Sequence, residues 1–147
     1  MPPTYLTGAC LCNNITYRIT LSTPELYPDL IICHCTNCKR YTGAGFSTNI
    51  IVPSSDFQYT KGSPKLYLDI GNKGGQVLRE FCPHCGTPFT SQSKSDMQMI
   101  AVKSGTLDDE HRVQCTKLVT EIYHHRKDEW VASIGTEHVQ KLDGSMG

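Results

Sequence analysis

A mainly β fold of short antiparallel strands, stapled by metal, is what this sequence predicts. Three observations carry that expectation. Ile15, Tyr17, Ile19 and Leu21 alternate with Thr16, Arg18 and Thr20, which is the period of a strand with one buried face. No stretch repeats its apolar residues at helical spacing over any length. Finally, seven of the eight cysteines fall into three tight groups, Cys10 with Cys12, then Cys33, Cys35 and Cys38, then Cys82 with Cys85. Thiols that merely pack need no neighbours of their own kind, whereas a metal needs several thiolates converging on one point.

The elements follow in chain order. Gly8 to Cys12 reads as an extended segment, so Cys10 and Cys12, two residues apart, face one side and one ion. Gly8 allows another backbone to approach. The alternating strand over residues 15–21 ends at the turn Ser22-Thr23-Pro24-Glu25. Leu30-Ile31-Ile32 is a buried strand leading straight into Cys33. Thr36 to Tyr41 forms one helical turn with Thr36 as its N-cap, and Gly43-Ala44-Gly45 breaks it. Phe46 to Val52 is a strand closed by Pro53. Lys65 to Ile70 is another, with Leu66, Leu68 and Ile70 inward, followed by the turn Gly71-Asn72-Lys73-Gly74-Gly75. Val77 to Phe81 runs into Cys82-Pro83-His84-Cys85-Gly86. There two thiols separated by two residues can share one ion, and Gly86 supplies the positive φ such a turn requires. Met97 to Val102 and Leu118 to Tyr123 are the last strands, with a turn at Ser104 to Asp109. Trp130 is expected to anchor the core, His124-His125 to be a solvated strand end, and the tail after Leu142 to fray.

Composition narrows the function. A chain of 147 residues is expected to be one domain, residues 1–147. Lysine plus arginine total 14, as do aspartate plus glutamate. The chain therefore has no net charge to draw nucleic acid or an anionic membrane, and neither is expected as a partner. The start, Met1-Pro2-Pro3-Thr4-Tyr5, lacks the basic-then-apolar pattern of a secretory signal. No run approaches the ~20 apolar residues of a membrane span. A cytoplasmic location is the resulting expectation, and there clustered cysteines bind metal more often than they form disulfides.

Ligand arithmetic then divides the cysteines. Structural zinc closes with four ligands, whereas catalytic zinc keeps three protein ligands and one open position. The two pairs together make one closed set, Cys10, Cys12, Cys82 and Cys85. Cys33, Cys35 and Cys38 remain as a set of three. The alternative is that Cys115 or His34 completes a second closed site. Four thiolates on Zn²⁺ leave a formal charge of about −2 and three leave about −1. Lys39 and Arg40, directly after the three-thiol loop, are candidates to offset that charge or to hold an anionic substrate. Basic side chains exposed to solvent are the plainer reading of both.

The stretches Gly8-Ala9-Cys10-Leu11-Cys12, Cys33-His34-Cys35-Thr36-Asn37-Cys38-Lys39-Arg40 with Gly43-Ala44, and Phe81-Cys82-Pro83-His84-Cys85-Gly86 carry a family resemblance. With Ser104-Gly105-Thr106-Leu107-Asp108 and the late Trp130, they resemble the GFA family of glutathione-dependent formaldehyde-activating enzymes, a domain shared with centromere protein V. The resemblance covers nearly the whole chain. It implies a β-tent fold of several small antiparallel sheets and two zinc ions, a structural one on Cys10, Cys12, Cys82 and Cys85 and a catalytic one on Cys33, Cys35 and Cys38. It also implies a carbon–sulfur lyase that joins a small-molecule thiol, glutathione, to formaldehyde, with His34 or water as proton donor. A different zinc enzyme of the same fold, or a non-enzymatic binding module, is the competing expectation, and homo-oligomerisation is compatible with all three. Two departures stand out. Glu121 precedes Ile122-Tyr123 where the family commonly carries histidine, and Lys39 stands where arginine is frequent.

Overall fold

The protein is described by a computed structural model covering residues 4–71, 73–132, 134–135 and 138–145. Met1, Pro2 and Pro3 of the N-terminal start and Asn72 of the predicted turn lie outside the described residues. Among the described residues, eleven strands form two sheets. β1 (Thr4–Ala9), β2 (Thr16–Leu21) and β5 (Phe57–Lys61) make a three-stranded sheet in the order β1-β2-β5. The second sheet holds β3 (Leu30–Cys33), β4 (Ser47–Pro53), β6 (Lys65–Ile70), β7 (Gln76–Phe81), β8 (Pro88–Ser93), β9 (Met99–Lys103), β10 (Leu118–Ile122) and β11 (Gln140–Lys141). Its order is β11-β10-β3-β4-β9-β8-β7-β6. Two short α-helices are seen among the described residues, α1 (Thr36–Thr42) and α2 (Asp109–Arg112). None of the described helices is long and apolar enough to cross a membrane.

The mainly β architecture is the one expected, and the alternation over residues 15–21 is borne out. Ile15, Tyr17, Ile19 and Leu21 are buried while their neighbours are half-exposed. They pack with Leu6 of β1, Ile50 and Val52 of β4, Phe89 of β8, and Ile100 and Val102 of β9. Tyr17 meets Phe89 edge-on at 5.9 Å between ring centroids, the geometry aromatic quadrupoles favour. Gly8 is required there. A Cβ on it would lie 2.3 Å from Tyr17 Cζ and 2.5 Å from the Thr106 carbonyl oxygen.

Several expectations need correction. Not every pairing is antiparallel, because β10 runs parallel to both β3 and β11. Alternation reports which face of a strand is buried and carries no information on its partner's direction. Leu66, Leu68 and Ile70 are exposed rather than inward, at 54%, 47% and 55%. β6 is the last strand of its sheet, and no β6 residue joins the core cluster, so the apolar row has no layer above it. The C-terminal tail is tied down as far as Gly144. Leu142 N–H donates to Glu121 O, and Tyr123 N–H to Gly144 O. Trp130 does not anchor the core. It is 73% exposed, and its ring rests on Gly45, where a Cβ would come within 2.5 Å of it.

Candidate metal centres

The first centre forms where two loops meet. Cys10 and Cys12 follow β1, and Cys82 and Cys85 sit in the turn between β7 and β8. The extended reading of residues 8–12 fails past Ala9, because Leu11 and Cys12 form a turn closed by Asn13 N–H donating to Cys10 O. That turn brings the two sulfurs within 3.6 Å. Gly86 has φ of +80° and its N–H donates to Cys82 O. All four sulfurs lie within 4.8 Å of one another, and Cys12 and Cys82 are 3.8 Å apart. A tetrahedron with ~2.3 Å zinc–sulfur bonds has edges of ~3.8 Å, so this donor set fits zinc. Backbone N–H groups of Ile15 and His84 donate to the sulfurs of Cys10 and Cys82 at 3.3 and 3.4 Å. The Thr87 hydroxyl lies 3.2 Å from Cys85 sulfur and, with the Thr87 backbone, draws that thiol down to about 5.

The second centre comes from one continuous segment. Cys33 ends β3, and Cys35 and Cys38 flank the start of α1. Their sulfurs also lie within 4.8 Å of one another, and all three residues are buried. Three clustered, buried thiols fit a thiophilic ion such as zinc, with a coordination position left over. Ile122 and Tyr123 cover them. The N-cap of α1 is Cys35, not Thr36, and its sulfur accepts from Cys38 N–H at 3.2 Å. A sulfur fixed beside its partners reaches the helix amide that a threonine one residue later, already inside the helix, cannot.

Polar side chains from four other strands surround Cys38, and the sequence did not announce them. Arg79 Nη1 donates to Ser91 Oγ at 2.9 Å and lies 4.0 Å from Cys38 sulfur. Lys103 Nζ donates to the same Ser91 Oγ at 2.9 Å and to Asn49 Oδ1 at 2.6 Å. Asn49 Nδ2 donates to Ser47 Oγ at 3.0 Å, and the Ser47 hydroxyl reaches Cys38. A ring of hydrogen bonds thus leaves Cys38 through Arg79 and returns through Ser47. Donors of this ring converge on sulfur. Cys38 is held well below the ordinary thiol range, first by its hydrogen bonds with Cys33 and Cys35, then by the Lys103 charge and Ser47. Cys33 is pushed the other way, by its hydrogen bonds with Cys35 and Cys38 and then by burial. Burial drives Lys103 down to about 8, against the pull of Cys38.

The other sequence-selected residues are placed differently. His34 is fully buried, and its Nε2 faces Glu121 Oε1 at 2.8 Å. Glu121, also fully buried, bonds Lys141 as well. Burial raises the Glu121 carboxyl, but Lys141 and His34 outweigh it and hold the group below its ordinary value. The departure at position 121 therefore has a local partner, because a carboxylate there meets the histidine between two of the clustered thiols. Lys39 turns to Asp128 Oδ1 at 3.0 Å and the Arg126 carbonyl, and Arg40 is exposed. Cys115 is buried in the main core and belongs to neither sulfur cluster. His124 forms a 3₁₀ turn with His125 and Arg126 and meets the His34 ring edge-on at 6.2 Å.

Comparison with known proteins now adds to this geometry. The model of the glutathione-dependent formaldehyde-activating enzyme family matches residues 5–126. The chain belongs to that family. Its name implies an enzyme with a formaldehyde-activating type of function in general. A search of curated proteins found no match. Among solved structures, a Rhodobacter sphaeroides protein is similar in fold, with a TM-score of 0.54 and 22% identity, over 70% of this chain and 88% of that one.

Proposed function

We propose that this GFA-family chain is a zinc-dependent carbon–sulfur lyase that joins the thiol of glutathione to formaldehyde, giving S-hydroxymethylglutathione. The observation that carries the proposal is the second centre: three buried thiols within 4.8 Å of one another, ringed by donors from Arg79, Lys103 and Ser47. Cys33, Cys35 and Cys38 would hold the catalytic zinc, and Cys10, Cys12, Cys82 and Cys85 a structural one. When bound, the catalytic ion supplies a fourth position that keeps an incoming thiol as thiolate at neutral pH.

The protein's own residues do the rest. Burial of the three cysteines excludes bulk water, which strengthens every charge interaction at the site. The thiolate sulfur attacks the carbonyl carbon. One C–S bond forms, the carbonyl π pair moves to oxygen, and that oxygen takes a proton. The Arg79 guanidinium stands beside Cys38 to offset negative charge developing there. Water delivers the proton in this reading, because the His34 ring is fully buried with Nε2 committed to Glu121. His34 then acts as a positioning residue for the Cys33–Cys38 segment. Lys39 and Arg40 belong to the outer rim, where the charged groups of glutathione would pass.

Exchange NMR on formaldehyde plus glutathione, with the protein and with Cys35→Ala, tests this. The expected outcome is faster exchange with the native chain only; equal rates would remove the lyase reading. Glu121 and Lys39 favour a second reading, a zinc enzyme of the same fold acting on another small carbonyl compound. Its mark is an unchanged formaldehyde rate beside another activity that Cys35→Ala abolishes. Cytoplasmic residence and a homo-oligomeric state complete the proposal, and light scattering reads the latter.

A further inference from the structure

The two sulfur clusters differ in how they would carry charge. The four-thiol set reaches the surface, with Cys12 exposed and Cys85 half-buried. Solvent there can absorb the charge of about −2 that four thiolates on a divalent ion produce. The three-thiol set is buried throughout. A fourth anionic ligand there would raise the same charge of about −2 in a medium that resists it.

Lys103 changes that balance. It is 4% exposed, and both acceptors of its ammonium group, Asn49 Oδ1 and Ser91 Oγ, are neutral. No carboxylate among the described residues forms a salt bridge with it. Arg79 differs, because it already has a carboxylate partner, Asp69 Oδ2, which accepts from its Nε at 2.8 Å. One buried positive charge is thus left over beside a site whose three thiolates and divalent ion carry one negative charge. Lys103 also sits on the same hydrogen-bonded ring that leads to Cys38 through both Ser91–Arg79 and Asn49–Ser47.

We propose that Lys103 makes the open position of the Cys33–Cys35–Cys38 site selective for a singly charged anion, such as a thiolate, over a neutral ligand. This rests on the reading of those three cysteines as metal ligands. Lys103 acts as a positioning residue, through the field it places on the site rather than by touching the ligand. With Lys103 in place, the buried site is neutral before the anion enters and carries one negative charge afterwards. Without it, the site begins at one and ends at two.

The test uses the full chain loaded with Co²⁺, whose visible absorption reports the ligands of each site. The Cys10–Cys12–Cys82–Cys85 site provides a constant background, and added ligand alters only the bands of the open site. Thiocyanate is the anionic probe and imidazole the neutral one. In Lys103→Met, the thiocyanate dissociation constant should rise about tenfold or more, while that of imidazole stays within about twofold, because only the anion feels the lost charge. Asn49→Asp keeps the lysine and pairs it with a carboxylate. It should show the same selective loss and serves if Lys103→Met does not fold. Unchanged thiocyanate affinity in both variants, or equal losses for the two probes, would overturn the proposal. A chain that binds no cobalt beyond the four-thiol site would overturn it together with the zinc reading it rests on. Full cobalt occupancy with unselective variants would overturn this inference alone.

Discussion

The two sulfur clusters share one ligand type but differ in how much of the chain each spans. Cys10 and Cys82 are 72 positions apart, so an ion on the first cluster ties the loop after β1 to the turn between β7 and β8. Such an ion would hold the three-stranded sheet against the eight-stranded one. The second cluster spans six consecutive positions and closes almost no loop. Its position is fixed already by the β3–β4 pairing and by α1. A metal that closes a long loop contributes to folding, whereas one on a preformed local segment is free to serve chemistry. Their surroundings agree. The first cluster is served by backbone amides and threonine, the second by buried cations.

The largest effect is expected where the long loop is opened. Cys85→Ala removes one of four ligands, and the chain should lose cooperative folding. The destabilisation should be on the order of 5 kcal/mol or more, comparable with the whole stability of a small domain. Circular dichroism melting with zinc analysis reads it. A Cys85→Ala protein that melts like the parent would place the fold's support elsewhere.

Cys35→Ala should behave differently. It removes the N-cap of α1 as well as a sulfur ligand, at a stability cost of about 1 kcal/mol. Zinc content should fall from about two ions per chain to about one, and the carbon–sulfur activity should vanish. In the parent, a chelator should strip one zinc without unfolding the chain. If Cys35→Ala and Cys85→Ala unfold alike, the division of roles between the clusters is wrong.

The contrast between the clusters was legible in the cysteine spacing, because ligand count and sequence distance are properties of the string. The charged lining of the second cluster was not. Arg79 and Lys103 lie 41 and 65 positions beyond Cys38, each the lone cation of a short strand, where a basic side chain ordinarily faces water. The one signal for Arg79 is that Val77 and Phe81 share its face of β7. The oddity of Glu121 was visible, but its partner was not, since parallel pairing of β10 with β3 sets it beside His34. β6 shows the reverse case. Its alternation was plain in the sequence and misleading in meaning, because Leu66, Leu68 and Ile70 lie on the last strand of the sheet and stay exposed.

Glu121 supplies a smaller effect that sharpens the comparison through pH. Its folded-state value lies below its ordinary one. The stability it contributes is therefore present above its unfolded value of about 4.3 and is lost as pH falls below that toward the folded value. Glu121→Gln should unfold with a weaker acid dependence in that window than the parent, and should be less stable at pH 7, because Lys141 loses its buried counter-charge. The four-thiol cluster is common to both proteins, so acid release of its metal cancels in the difference. Parallel acid curves for the two would mean that the His34–Glu121–Lys141 chain adds nothing to the fold around the second cluster.

The smallest effect is expected at Trp130. A tryptophan in the core costs about 3–5 kcal/mol when cut to alanine. This one is 73% exposed, and its packing surface is the backbone of Gly45, just beyond α1. Trp130→Ala should cost less than about 1 kcal/mol, read by urea unfolding, and leave zinc content unchanged. Gly45→Ala should cost more than Trp130→Ala, because its new methyl would meet the ring at 2.5 Å and displace it. Combining the two should recover most of the Gly45→Ala loss, since the clash disappears with the ring. If it does not, the cost at Gly45 belongs to the loop that follows α1, and the support of the second cluster extends further along the chain than Cys38.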